Sequence, residues 1–464
     1  EPLMEAGLDS MSAVELHSGV QQTMGVELPA TLMFDYPTIS AVAGMISEEV
    51  GSDASFAVDE GVSSSRSFDY RRELYSRDAK VVIFCLAYAG GVASSIFSPW
   101  ATSLPGDVSV APLDLPGRGV RNQEDSLCDI TSIAQMFSDL ISQCEVPFYV
   151  FAHSTGAILM HEILMHMKRN GRDRNLLGAY ASACPAPCYF MRFSKALFEK
   201  SMKQNSSETK SAGLTSSGST PSQSDLIGML QLSRQMTGTQ SESMLDMLEG
   251  SGVFCGIEKM RSSSSLYSQI MPLIIDDIEM IVRYNYRPYE LLETPIVCFR
   301  GSEDTTHEPE TVRMWKNVTM EDTKTFIVPG DHFFLHQKAA KDTILSTIIS
   351  DIVSKRLISS SATSGEEFVA SEFIARPTLH DIVAVVIPSG MNSDSMCSIQ
   401  EILDGFAARA YVVESGAGTS RLDSLSIAPQ LIVTSIAGVE DAMLLSDDYN
   451  ATQIGHTMMA VFDC

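Results

Sequence analysis

Serine, aspartate and histidine, the side-chain types that together can turn a hydroxyl into a nucleophile, occur in this chain in that order and each at the end of a predicted strand. Phe148-Tyr149-Val150-Phe151-Ala152-His153-Ser154-Thr155-Gly156 reads as strand, sharp turn and helix. It is the G-x-S-x-G arrangement with Ala152 in place of the first glycine, and it presents Ser154 at the top of a sheet. Such a serine needs a base to take its proton and an acid to orient that base. After the predicted strand Pro295–Arg300, Gly301-Ser302-Glu303-Asp304 places Asp304 in a loop at a strand's C-terminal end. After Thr325–Val328, Pro329-Gly330-Asp331-His332 places His332 at the start of a predicted helix. Both loops fall at the end of the sheet where open α/β folds build their sites. The backbone N–H of Thr155, first in the helix after Ser154, is a candidate donor to an oxyanion. His336, one turn beyond His332, is the rival base. His153 is expected to point elsewhere, and His307 follows Asp304 too closely to reach Ser154 from another loop. Glu303 and Asp331 read as solvated or capping neighbours.

A second serine has a different setting. Gly7-Leu8-Asp9-Ser10-Met11 opens an amphipathic pattern with apolar residues at Met11, Val14, Leu16 and Val20. At a helix start, unpaired N–H groups and the positive end of the helix dipole would stabilise a phosphodiester on the Ser10 hydroxyl. On these residues alone, Asp9 and Ser10 read more readily as a plain N-cap pair. Both readings stand on these residues.

The elements that must position these groups divide the chain. Residues 1–50 show helical periodicity punctuated by Pro29 and Pro37, and 51–78 form a linker rich in Ser, Asp and Arg. From 79 to 353, apolar β-branched runs such as Val81–Leu86, Phe148–Ala152 and Leu177–Ala181 alternate with helical patterns. That alternation predicts an α/β domain with a largely parallel sheet. Helical patterns at about 190–270, around a Ser/Thr-rich stretch from Asn205 to Ser224, predict a lid with a disordered insert. A Ser-rich linker spans 354–372. Residues 373–464 read as a further α/β segment, with strands at Ile382–Ile387, Ala410–Val413 and Leu431–Thr434 and a helix near Ser398–Ala408. It carries no G-x-G-x-x-G fingerprint, and it reads as a module cut short with no assigned activity.

Composition narrows the partners. With 32 Lys plus Arg against 58 Asp plus Glu, the formal net charge is −26. An acidic surplus argues against nucleic acid and against anionic membrane surfaces, both of which attract basic patches. No apolar run approaches the roughly 18 residues of a membrane span. The nine cysteines lack C-x-x-C spacing and read as reduced thiols rather than a disulfide framework or a zinc site, so no metal is expected and the compartment reads as cytoplasmic.

The longer motifs resemble known families. Met4-Glu5-Ala6-Gly7-Leu8-Asp9-Ser10-Met11-Ser12-Ala13-Val14-Glu15-Leu16, followed by Leu28-Pro29-Ala30-Thr31-Leu32-Met33-Phe34-Asp35-Tyr36-Pro37-Thr38, resembles the acyl carrier proteins of polyketide synthases. The resemblance implies that Ser10 carries covalent 4′-phosphopantetheine, added by a phosphopantetheinyl transferase. It also implies an all-α helix bundle, here N-terminally truncated because the family's first helix has no counterpart. Tyr88-Ala89-Gly90-Gly91, Leu115-Pro116-Gly117-Arg118-Gly119, Ala152-His153-Ser154-Thr155-Gly156 and Gly330-Asp331-His332-Phe333-Phe334-Leu335 resemble the thioesterases of polyketide, nonribosomal-peptide and animal fatty-acid synthesis, the type II group above all.

That resemblance implies an α/β-hydrolase fold with a helical lid. It implies Ser154, Asp304 and His332 as the catalytic set, Ala89 as the second backbone oxyanion donor beside Thr155, and an acyl thioester substrate delivered by upstream synthase domains. Pro272 to Pro288 looks like the stretch leading from the lid back into the sheet. The reaction implied is release of an acyl chain through an acyl-serine, by hydrolysis or cyclisation. Editing of aberrant acyl groups, a generic serine esterase or acyltransferase, and a non-catalytic docking module are the alternatives.

Overall fold

In the computed structural model, residues 74–187 and 291–358 are described throughout, together with parts of 189–286, five short strands between 372 and 444, and a few positions among the first 43. Ser10, most of linker 51–78 and the Asn205–Ser224 stretch lie outside the described residues.

Strands β1 (Val81–Leu86), β2 (Val108–Pro112), β3 (Phe148–His153), β4 (Leu176–Ser182), β5 (Ile296–Gly301) and β6 (Thr323–Val328) form a parallel sheet in the order β2-β1-β3-β4-β5-β6. The described helices are α1 (Ala93–Phe97), α2 (Ile130–Ile141), α3 (Thr155–Arg169), α4 (Ile257–Ser262), α5 (Ser264–Arg283), α6 (Pro309–Arg313) and α7 (Lys338–Ser354). The strands anticipated from the sequence are found within a residue or two.

β1 and β3 are buried at every position. A parallel sheet covered on both faces requires this, so such strands read as unbroken apolar runs. The two-residue period still sorts their side chains between layers. Val82, Phe84, Leu86, Phe148, Val150 and Ala152 pack into one core with Ile133 and Phe137 of α2 and Ile158 of α3. Val81, Ile83, Cys85, Tyr149 and Phe151 pack into the other, with Phe97 of α1 and Ile344 and Ile348 of α7. Burying each large side chain contributes roughly 1.5–3 kcal/mol. The entry to α2 is fixed by Asp129, whose carboxylate accepts from the Ser132 N–H at 2.9 Å.

Three departures from the sequence reading stand out. His332 does not open a helix: it sits in a loop, a short 3₁₀ turn follows at Phe334–His336, and α7 begins only at Lys338. Gly330, at φ 116°, and the turn in which Asp331 Oδ1 accepts from the Phe333 N–H delay the helix. Pro272 lies inside α5, and the return from helix to sheet begins only after Arg283. Finally, β7 (Glu372–Ile374) pairs antiparallel with β6 and completes the edge of the large sheet, although it lies past residue 353 and begins within the expected second linker.

Met260 of α4 and Met271 and Ile275 of α5 pack with Leu245 in a separate apolar cluster. Farther along, β8 (Ile382–Ile387), β9 (Arg409–Glu414), β10 (Leu431–Val433) and β11 (Ala442–Leu444) form a second sheet in the order β11-β10-β8-β9. β8 runs parallel to β9 and β10, and β11 runs antiparallel to β10. The helix expected near Ser398–Ala408 lies outside the described residues.

Candidate active site

Ser154 occupies the turn between β3 and α3 with φ 53° and ψ −127°. Positive φ in a non-glycine residue costs about 1–3 kcal/mol and persists only where its surroundings enforce it. Here the Ser154 N–H donates to the Ser182 carbonyl at 2.8 Å, and the Ser154 carbonyl accepts from the Ala157 N–H at 2.8 Å. Two residues on, a Cβ at Gly156 would lie 2.4 Å from the Ala87 carbonyl oxygen. Helix and strand backbone therefore approach more closely than any side chain permits. Ala152 is fully buried and fits where the motif's first glycine usually stands.

The other two residues are brought in by a second close approach. A Cβ at Gly301, the last residue of β5, would lie 2.4 Å from the Gly330 carbonyl and 2.5 Å from that of Asp331. Two ladder-like bonds join the loops: Ser302 N–H to the Val328 carbonyl at 2.7 Å, and Glu303 N–H to the Gly330 carbonyl at 2.9 Å. The Asp304 and His332 loops are thus one packed unit at the C-terminal end of the sheet.

Within it, His332 Nε2 lies 3.0 Å from Ser154 Oγ, and His332 Nδ1 lies 3.1 Å from Asp304 Oδ2. All three residues are buried. A carboxylate only accepts, so Nδ1 carries the ring hydrogen and Nε2 is left to accept from the serine hydroxyl. Burial disfavours a charged Asp304, but hydrogen bonds and charge from His332 and hydrogen bonds from Thr306 outweigh it and hold the carboxyl well below the usual carboxylate range. Thr306 Oγ1 donates to Asp304 Oδ1 at 2.5 Å and also lies 3.1 Å from His332 Nδ1. The Thr306 N–H donates to the same carboxylate oxygen at 3.0 Å.

His153 faces away from the serine. Its Nε2 donates to the His332 carbonyl at 2.9 Å, which leaves Nδ1 to accept from the Ser182 hydroxyl at 2.8 Å. Burial, then repulsion from His332, pushes its pKa well below the ordinary value and keeps it neutral. His336, the rival base, is exposed, with Nε2 3.1 Å from the Tyr88 hydroxyl. His307 is buried, its ring 6.0 Å from that of His332, and burial pushes its pKa down to about 3. Glu303 is exposed. Ala89 lies buried in the loop after β1, and Thr155 begins α3. Thr306 and the role of His153 escaped the sequence reading. A hydroxyl residue two positions after the acid was the available signal for Thr306, whereas a contact to a backbone carbonyl leaves no signal at all.

A parallel α/β sheet holding serine, histidine and aspartate in one hydrogen-bonded row defines a serine hydrolase. Residues 82–352 match the thioesterase domain family and residues 1–46 match the phosphopantetheine attachment site. The chain belongs to the thioesterase domain family.

Among its relatives, the gramicidin S biosynthesis protein GrsT of Aneurinibacillus migulanus is 24% identical over 262 residues, covering 56% of this chain and 84% of that one. The medium-chain S-acyl fatty acid synthase thioesterase of Homo sapiens is 24% identical over 277 residues, 59% of this chain and 87% of that one. The N-terminal segment is similar to the polyketide synthase GfsA of Streptomyces halstedii, 46% identical over 50 residues, 11% of this chain and 1% of that one. The chain thus joins a thioesterase to a carrier segment of the kind that is modified covalently with 4′-phosphopantetheine and presents acyl thioesters. No described helix is long and apolar enough to cross a membrane, and the described residues hold no cluster of metal ligands.

Proposed function

We propose that Ser154, His332 and Asp304 cleave the thioester of an acyl chain carried on the N-terminal segment, through an acyl-serine intermediate. The observation that carries this reading is the unbroken row from Ser154 Oγ through both His332 nitrogens to Asp304.

Ser154 Oγ attacks the thioester carbonyl carbon while its proton passes to His332 Nε2. Asp304 holds the ring in the required tautomer and stabilises the imidazolium. The negative charge that develops on the carbonyl oxygen is met by the backbone N–H groups of Thr155 and Ala89. Loss of one such donor costs on the order of 10²–10³ in rate. The carbon–sulfur bond breaks and the thiolate takes the proton from His332, leaving the acyl group on Ser154. Water then gives a proton to His332 as it attacks the ester, the free acid departs, and the proton returns to Ser154 Oγ. An internal hydroxyl in place of water gives a lactone.

Ser10 is the proposed attachment point of the phosphopantetheine arm, supported by its place within the matched 1–46 segment and the run Gly7-Leu8-Asp9-Ser10-Met11. The arm supplies the thiol that bears the acyl group. We assign 1–50 to the carrier, 79–353 to an α/β-hydrolase domain with its lid at about 190–270, and the upstream synthase domains as the source of the chain. A carrier match in the same chain favours release over editing.

The test is turnover of a model acyl thioester by the Ser154→Ala chain. Turnover is expected to vanish with the fold intact, and undiminished turnover would end the proposal. Ser10→Ala should still hydrolyse a soluble thioester but lose the mass increment added by a phosphopantetheinyl transferase.

A further inference from the structure

Behind the proposed oxyanion loop lies a buried ion pair that takes no part in the chemistry described so far. Arg118, from the Leu115–Gly119 motif, meets Asp277 of α5 with both ends of its guanidinium: Nη1 donates to Oδ2 at 2.6 Å and Nη2 donates to Oδ1 at 2.7 Å. Their side chains are only 3% and 4% exposed. The same Asp277 Oδ2 accepts from the Gly90 N–H at 2.7 Å, and Arg118 Nη1 reaches the Gly91 carbonyl at 3.4 Å.

α5 also lies flat on this loop. Gly90 is held at φ 74°, and a Cβ there would stand 2.5 Å from Ile274 Cγ1. Arg118 is anchored from behind, because Asp114 accepts from the Ser94 N–H and hydroxyl and from the Val120 N–H, tying its loop to α1.

Gly90 immediately follows Ala89. Fixing the peptide between them limits where the Ala89 N–H can point, and an oxyanion donor acts only when it is aimed before the charge appears. We propose that Asp277, oriented by Arg118, is a positioning residue for the oxyanion loop, so that the seating of α5 and the alignment of the Ala89 N–H form one unit. This inference rests on the reading above, in which Ala89 donates to the oxyanion. It adds a residue 188 positions along the chain from Ala89, on a helix that also packs into the apolar cluster of α4. The group that matters at 277 is a hydrogen-bond acceptor facing Gly90, and the charge on Arg118 serves to hold it.

Removing one member of a buried ion pair strands the other charge, so single variants risk unfolding. Two double variants of the full chain avoid this: Arg118→Met with Asp277→Asn, and Arg118→Met with Asp277→Leu. Both discard the charges, but only the first keeps an oxygen able to accept from Gly90. With a soluble acyl thioester, the Leu variant is expected to lose roughly 10- to 100-fold in kcat relative to the Asn variant, because misalignment of a reacting group by about 1 Å costs that much. KM should differ between them by less than about threefold, since the ground state does not load the oxyanion donors. Equal kcat for two variants with cooperative melts would overturn the proposal.

Hydrogen exchange on the unsubstituted chain requires no variant. The Gly90 amide is expected to be strongly protected, and exchange at the rate of an unstructured amide would also overturn it. Ser154→Ala, run alongside, separates the two levels. Retained turnover there defeats the reading of the site, whereas abolished turnover with equal double variants defeats only the role of Asp277.

Discussion

The Nε2 of His153 lies 2.9 Å from the carbonyl oxygen of His332, so the residue just before the serine holds the backbone of the histidine that faces it. Elbow and histidine loop are thereby pinned to each other through a neutral, buried ring that also takes the Ser182 hydroxyl. Replacing His153 by Phe keeps an aromatic ring, somewhat larger, but removes both bonds and leaves a buried carbonyl without its donor. Stability is expected to fall by about 1–3 kcal/mol. The kcat for a soluble thioester should fall roughly 10- to 100-fold through misalignment, with KM nearly unchanged. Denaturant titration and steady-state kinetics on the same preparation check both, and an unchanged kcat would remove His153 from the positioning of His332.

Asp304 and Thr306 should separate in magnitude. Asp304→Asn keeps the shape but presents an amide that favours the wrong ring tautomer, a change worth on the order of 10⁴ in kcat where this arrangement has been dissected. Thr306→Val removes one hydrogen bond to the carboxylate, typically worth about 1.5–3 kcal/mol for a charged acceptor. Its effect on kcat should be near 10-fold, with Asp304 becoming easier to protonate because a bond that holds its pKa down is gone. Pre-steady-state acylation rates for the two variants are the measurement. A Thr306→Val loss as large as that of Asp304→Asn would contradict the ranking.

Gly156→Ala tests the close approach of helix to strand. The new Cβ would stand 2.4 Å from the Ala87 carbonyl, a rigid backbone atom that cannot turn aside. Overpacking of this kind costs about 1–3 kcal/mol. Because relief requires α3 with the serine turn, or the loop from Ala87 to Ala89, to shift, labelling of Ser154 by a fluorophosphonate should slow by roughly 100-fold. Labelling at the parent rate would show that the elbow absorbs the methyl.

Acid stability follows from three buried histidines. Burial keeps the pKa of His153 well below the ordinary value, and pushes His161 down to about 4 and His307 to about 3. In the unfolded chain these rings bind protons below about pH 6.5, whereas in the fold they stay neutral. The unfolded state therefore binds more protons, and stability falls as pH drops from about 6.5. Each ring contributes about 1.4 kcal/mol per pH unit until its own folded value is reached. Asp304, whose folded pKa is depressed, adds a loss of the same sign below about pH 4. Denaturation midpoints measured from about pH 7.5 to 5 should decline, and His161→Phe should flatten the decline by one proton's worth. A midpoint independent of pH over that range would contradict the burial of these rings.

Local pattern was enough to determine the parallel α/β class, most of its strands and the placement of Ser154, Asp304 and His332 each just after a strand, β3, β5 and β6. Continuous apolar runs, a small-residue turn and loops at strand ends are properties of neighbouring residues, and neighbours lie side by side in the sequence. Tertiary structure alone decided the rest: that His332 sits in a loop held open by Gly330, that β7 closes the sheet edge, that His153 grips a carbonyl 179 residues away, and that Arg118 pairs with Asp277 across 159 residues. The reason is physical. A buried charge or ring nitrogen takes whichever partner close packing delivers, and where that partner is a backbone atom or a distant helix, no local pattern of side chains records the choice.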